Sequence, residues 1–248
     1  MGIFSAIGGA ISSAVSVVGS VICSGVSKVC GAIGGALGLA SKAVTGIAEV
    51  IGGLAPVLYP KLELPKVFEI FVKVVNGIAE ILGLKETEKD DAEELAMKAE
   101  SSDKKPEDFD STEEYIKYLH EEIELDKEKM ENLTPEEKAS YGVVGSYLYL
   151  KAAAEKLGVD EINAPFIMSV AKLGLSPQAA INVIKNLKAS GIRNTDAVDD
   201  YLHGKSENLK TADAVDNALV SGMKESNPEM TEDDIYDSII QLEKDLKG

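Results

Sequence analysis

The sequence predicts an all-α protein, a Gly/Ala-rich hydrophobic helical hairpin followed by an acidic bundle of short helices. Three observations carry that expectation. In residues 1–57 apolar side chains recur every three or four positions, the spacing of one helical face. Beyond residue 110 the chain is punctuated by helix-start and helix-stop signals. No stretch alternates apolar and polar residues with the period of two that a half-buried strand requires.

The first element runs from Gly2 to Ser27 without a charged residue, long enough as a helix to cross a bilayer core of about 30 Å. Ile3, Ile7, Ile11, Val15, Val18, Ile22 and Val26 form its apolar face. Ser5, Gly8, Gly9, Ser12, Ser16, Gly19, Cys23 and Ser27 form a side-chain-poor one. The second element, Val29 to Val57, continues in kind, with GxxxG from Gly31 to Gly35 and again from Gly34 to Gly38. The phrase AIGGAI at Ala6–Ile11 returns as AIGGAL at Ala32–Leu37 and as VIGGLA at Val50–Ala55, which suggests an internal duplication. Exposed helical glycine costs roughly 1 kcal/mol relative to alanine, so repeated pairs need another use. Small faces let a second backbone approach closely. The predicted helix-contact set is Gly8, Gly9, Ser12, Ser16, Gly19, Gly31, Gly34, Gly35, Gly38, Gly52 and Gly53. Serine and glycine dilute the apolar content enough that residues 1–57 read as conditionally comfortable in water. Lys42 and Glu49 would need a partner, a water-filled lumen or a helix end in lipid.

Pro56, Pro60 and Pro65 are expected to break helix continuity at the junction of the head with residues 58–84. An amphipathic helix comes next. Val67, Phe68, Phe71, Val74, Val75, Ile78 and Leu82 share one face, and Lys66, Glu69, Lys73 and Glu80 the other. Such a helix suits a membrane interface. It suits equally a packing platform between the head and the body. Residues 85–110 are charged and read as a solvated helix and linker.

Residues 111–248 read as an acidic, soluble all-α domain. Ser111 with Glu114, and Thr134-Pro135 with Glu137, are capping boxes; Ser176-Pro177, Thr195-Asp196, Thr211 and Thr231 with Asp234 start further helices. Gly158, Gly174, Gly191 and Gly204 fall where glycine stops are expected.

Charge is distributed unevenly. The chain of 248 residues carries a net −17, yet residues 1–57 hold only Lys28, Lys42 and Glu49, and residues 58–84 are balanced. The acidity therefore lies beyond residue 84, and a body of that sign repels nucleic acid. Cys23 and Cys30 sit two helical turns apart, too far for a disulfide, and no zinc spacing accompanies them. Asp196, Asp199, Asp213 and Asp216, in the related phrases DAVDDYL and DAVDNAL, read as first-turn acids rather than a metal site. His120 and His203 stand apart, no nucleophile elbow, P-loop or zinc motif occurs, and Tyr141, Tyr147 and Tyr149 read as core or interface aromatics. The expectation is a protein without catalytic residues, cofactor or metal.

The glycine-paired, charge-poor head resembles the glycine-zipper heads of bacterial membrane-depolarising toxins, including those delivered by secretion machines. The resemblance spans residues 3–55 and rests on composition and GxxxG spacing. It implies a pore-forming or permeabilising protein that enters a lipid bilayer, self-associates through its head, and has a chaperone, immunity or delivery-machine protein as partner. Met1–Ile22 contains no Lys or Arg, so no basic signal-peptide region is present, and Ala6 stands where a myristoylation motif takes Ser or Thr. The expectation is cytoplasmic synthesis without a standard signal peptide, followed by membrane association or delivery. Two other roles suit the same composition: a virion or injection-machine protein ejected to line a conduit, and a membrane-anchored adaptor.

Overall fold

The computed structural model describes residues 3–85, 91–125 and 127–247, with side chains described from Val17 onward except for Lys127. The all-α expectation holds: no strand occurs among the described residues, only one isolated bridge between Glu161 and Asn194. Helices α1 (Ile3–Ile33), α2 (Gly35–Leu39) and α3 (Ser41–Leu58) form an N-terminal hairpin, joined across it by a 2.9 Å hydrogen bond between the Ser27 and Thr45 hydroxyls. Pro56 lies inside α3 instead of ending it, and the chain leaves the helix two residues later. Helix α4 (Leu64–Ile81) comes next, with Pro65 in its first turn, where no backbone N–H is needed.

The charged segment departs from its expected solvation. Helix α5 (Ala92–Ser101) buries Ala92, Leu95, Ala96, Met97, Lys98 and Ala99, and its acids Glu93, Glu94 and Glu100 are half-buried. A 3-10 turn at Pro106–Asp108 leads to α6 (Thr112–Glu122) and α7 (Lys127–Glu131). Helix α8 (Pro135–Leu157) is the axis of the molecule. It packs against α1, α3, α4, α5 and α6, and is buried around most of its circumference. A helix apolar or small on every side belongs in an interior, and the run SYGVVGSYLYLKAAA supplies such a helix. Helices α9 (Ala164–Leu173), α10 (Pro177–Ala189), α11 (Asp196–Leu202), α12 (Leu209–Ser226) and α13 (Glu232–Lys247) complete the body.

The predicted caps are largely in place. Thr134 and Glu137 form a reciprocal capping box, Ser111 accepts from Glu114 N–H, Ser176 from Ala179 N–H, and Thr231 from Asp234 N–H. Gly158 and Gly174 end α8 and α9 in the left-handed conformation, φ +66° and +68°. Thr195 differs: its hydroxyl accepts from Asn163 N–H across the bridge instead of capping α11. Asn163 and Asn208, not among the expected helix starts, cap α9 and α12.

One continuous hydrophobic core runs from Ile22 to Leu242. The segments 1–57, 58–84, 85–110 and 111–248 all contribute to it, so the compositional boundaries do not coincide with breaks in packing.

Candidate membrane-inserting hairpin

The inner face of the hairpin supplies core. Ile22, Val26, Val29, Ile33, Leu37, Val44, Ala48, Ile51, Ala55 and Leu58 are each at most 5 % exposed. The outer face is also apolar, with Val17, Val21, Val50 and Val57 between 36 % and 60 % exposed and Leu39 at the turn 90 % exposed. Lys28, Lys42 and Glu49, the only charges between residues 17 and 58, are exposed. Among residues whose side chains are described, helix α3 is long and apolar enough to span a membrane, yet only 28 % of it is buried.

Polar contacts at Ile22 and at Leu58 help fasten the hairpin to the body. The Ser140 hydroxyl, on α8, donates to Ile22 O at 3.2 Å and to Glu136 O at 2.8 Å. Lys172, on α9, donates to Leu58 O at 2.8 Å, satisfying one of the last carbonyls of α3, and its ammonium also lies 3.7 Å from Asp245 and over the Tyr59 ring. Packing between these points is incomplete. A cleft of about 380 Å³ separates Ala43 and Ile47 of α3 from Tyr147, Leu150, Ala154 and Ile162 of the body.

The predicted small-residue contacts divide into four kinds. Gly8, Gly9, Ser12 and Ser16 lie on α1 outside the residues whose side chains and surroundings are described. Gly34 and Gly35 do not lie on a helical contact face. With φ +71° and +55° they break the predicted continuous helix and reverse the chain between α1 and α3, a conformation that side chains resist. Gly19 and Gly38 have near neighbours: a Cβ at Gly19 would touch the Leu64 side chain at 3.7 Å, and one at Gly38 the Cys30 carbonyl at 3.6 Å. Gly31, Gly52 and Gly53 have no neighbour within 4 Å among the described residues, so no described backbone uses them.

The closest helix crossings fall elsewhere. At Gly25 of α1 an added Cβ would lie 2.2 Å from Ser140 Oγ, and at Gly145 of α8 only 1.7 Å from Ala92 O. Gly142 meets Val72, and Gly77 meets Pro177, at 2.8 and 2.6 Å. These glycines stand singly in ordinary-looking helical sequence. Their signal, a glycine retained mid-helix despite its helix penalty, is weaker than that of a glycine doublet.

The amphipathic helix serves as a packing platform in this structure. Val67, Phe68, Phe71, Val75 and Ile78 are buried, and Val74 and Leu82 half-buried, against α8, α9 and α10. Its charged side stays exposed, with a 2.9 Å ion pair between Lys66 and Glu69.

The remaining polar residues are engaged separately. Asp216 accepts from Tyr201 and Tyr236, Asp199 pairs with His203, and Asp196 meets Asn163. No group of three metal-ligating side chains occurs among the described residues. Glu93, at the α4–α5–α8 junction, is pushed up to about 7 by burial, reinforced by the carboxylates of Asp91, Glu94 and Glu69. No family model, curated protein or solved structure matches this chain.

Proposed function

We propose that the protein permeabilises membranes, its N-terminal hairpin stored against the acidic body and transferred from there into a bilayer. The observation that carries this reading is α3: apolar on both sides, of spanning length, and only 28 % buried. Apart from Lys42 and Glu49 its outer side is largely apolar, and such a surface belongs in a protein interior or in lipid. The outward valines are a liability in water that lipid removes. Gly31, Gly52 and Gly53, open here, are free to receive another copy of the hairpin once in the membrane. Glu49 near the middle of α3 then requires a partner or a water-lined lumen, which favours an assembled pore over an isolated span.

Dye release from vesicles of zwitterionic and of anionic lipid, measured across pH, tests the proposal. Val50 is on the outer side of α3, and the urea midpoint of Val50→Asp reports whether the fold is kept. An aspartate near the centre of a spanning helix costs about 2.5–3.5 kcal/mol. Release by Val50→Asp should fall by about two orders of magnitude at an unchanged urea midpoint. Absence of release by the native protein under every condition, or equal release by the variant, overturns the reading.

A further inference from the structure

The reversal of the hairpin is held from outside by a carboxylate. Glu107, on the 3-10 turn at Pro106–Asp108, accepts the Ala36 N–H at 2.9 Å through Oε2. The same carboxylate lies against Gly35, where an added Cβ would come within 2.2 Å of Oε1 and 2.8 Å of Cδ. Gly35 is favoured by its φ of +55°, and a side chain placed there would displace the Glu107 carboxylate from its seat. Glu107 and Ala36 are 71 residues apart, so this is a tertiary contact between the charged segment and the tip of the apolar head.

The turn that presents Glu107 is braced. Lys105 N–H donates to Asp108 Oδ2 at 2.8 Å, and Pro106 fixes the first residue of the turn. The Ser102 hydroxyl donates to Lys104 O and accepts from Lys104 N–H. Phe109 packs on Tyr115 and Tyr118 with centroids 5.3 and 5.1 Å away, and the Lys104 ammonium sits 4.6 Å over the Tyr118 ring. A carboxylate on a fixed turn loses little conformational freedom when it seats, which makes the contact a tether rather than a surface coincidence.

We infer that the seating of Glu107 on the Gly35–Ala36 turn is an autoinhibitory latch on the hairpin, keeping α2 and the start of α3 docked until the tip is freed. This rests on the proposed transfer of the hairpin to lipid. The tip is where undocking has least to overcome. Leu37 is the only side chain buried in α2, Leu39 is 90 % exposed, and the far end of α3 is held by Leu58 in the core and by Lys172. Local opening starts where buried contacts are fewest.

Hydrogen exchange of the full-length protein without lipid, beside dye release, tests the latch. Glu107 is exposed, so Glu107→Ala folds; its readout is the exchange of the Gly38, Ala40 and Val44 amides, which bond to Gly34, Ala36 and Ala40 carbonyls. The latch requires roughly fivefold faster exchange there, with α10 unchanged, and partial restoration by Glu107→Gln, which keeps the acceptor but not the charge. With vesicles, Glu107→Ala should release dye at a severalfold lower dose. Unchanged exchange at the tip, or an equal rise throughout the molecule, overturns the latch whatever the vesicles show. Faster exchange at the tip without dye release from any variant instead upholds the contact and overturns the membrane reading.

Discussion

Gly145→Ala is the sharpest test of the packing. The added methyl would lie 1.7 Å from the Ala92 carbonyl oxygen, 2.5 Å from its carbon and 2.8 Å from its Cα. Side-chain carbons do not come closer than about 3.0 Å to such atoms, so α5 and α8 must separate by about 1.3 Å. Backbone is the obstacle, and no rotamer change relieves it. A gap of 0.5–1 Å already forfeits a quarter to a half of each dispersion contact across it. Leu95, Ala96, Met97 and Ala99 line that interface, and full burial of Leu or Met alone is worth about 1.5–3 kcal/mol each. Against this stands about 1 kcal/mol of helix propensity gained. The expected net loss is about 3–5 kcal/mol, a large part of a typical stability of 5–15 kcal/mol. Urea unfolding followed by circular dichroism measures it, with Gly53→Ala as the control. Gly53 faces open space, so alanine there should stabilise by about 0.5–1 kcal/mol. A Gly145→Ala midpoint within 1 kcal/mol of the native protein refutes the α5–α8 crossing.

Other consequences arise from the same contacts. Gly25→Ala should cost about 1–3 kcal/mol because Ser140, buried and bonded to Glu136 O and Ile22 O, stands in the way; adding Ser140→Gly should recover part of it, visible as coupling in a double-mutant cycle of urea midpoints. Glu93 titrates at about 7 in the folded chain against 4.5 when unperturbed, so its protonated form favours folding. That contribution is full below pH 4.5 and is lost as pH rises to 7, and at 1.36 kcal/mol per unit, reduced for partial exposure, it amounts to about 2 kcal/mol. Glu93→Gln should remove this slope and be the more stable protein at pH 8; an unchanged slope in urea midpoints against pH would show Glu93 to be solvated. Gly52→Leu with Gly53→Leu should leave the soluble fold unaltered while reducing crosslinked oligomers in vesicles, and undiminished oligomers would remove the small-residue face from the assembly.

The helical class was legible because caps and periodicity are local signals. Thr134-Pro135-Glu136-Glu137 and Gly158 identify the ends of α8 without reference to anything distant. Packing between compositionally different segments is not a local signal. Residues 1–57 look autonomous by charge, but Ile22, Val44 and Ile51 need a surface to cover them, and α8 and α9, more than a hundred residues further on, supply it. The doublet at Gly34–Gly35 shows the limit of reading glycine by spacing. GxxxG says that a close approach or an unusual φ is tolerated, not which of the two occurs, and the distinction rests on Glu107, 71 residues beyond Ala36. Gly145 belongs to no doublet and has no GxxxG partner, yet it carries the tightest crossing, because Ala92 is brought to it only by the fold.

The energetics of the hairpin constrain how it could leave. Moving Ile22, Val26, Val29, Ile33, Leu37, Val44, Ile51 and Leu58 from the core into water costs about 12–24 kcal/mol, as much as or more than the whole stability of an ordinary domain. Moving them into hydrocarbon costs almost nothing in solvation, since lipid tails are as apolar as the core they leave. Release before contact with lipid is thereby disfavoured, so the proposed function calls for concerted undocking and insertion. The same transfer strips cover from Leu64, beside Gly19, and from Ser140, bonded to Ile22 O, which then need lipid or a second copy over them. A native protein that bound vesicles while the Leu64 and Ser140 amides stayed as protected as in solution would have inserted without undocking, and the stored-hairpin account would fail.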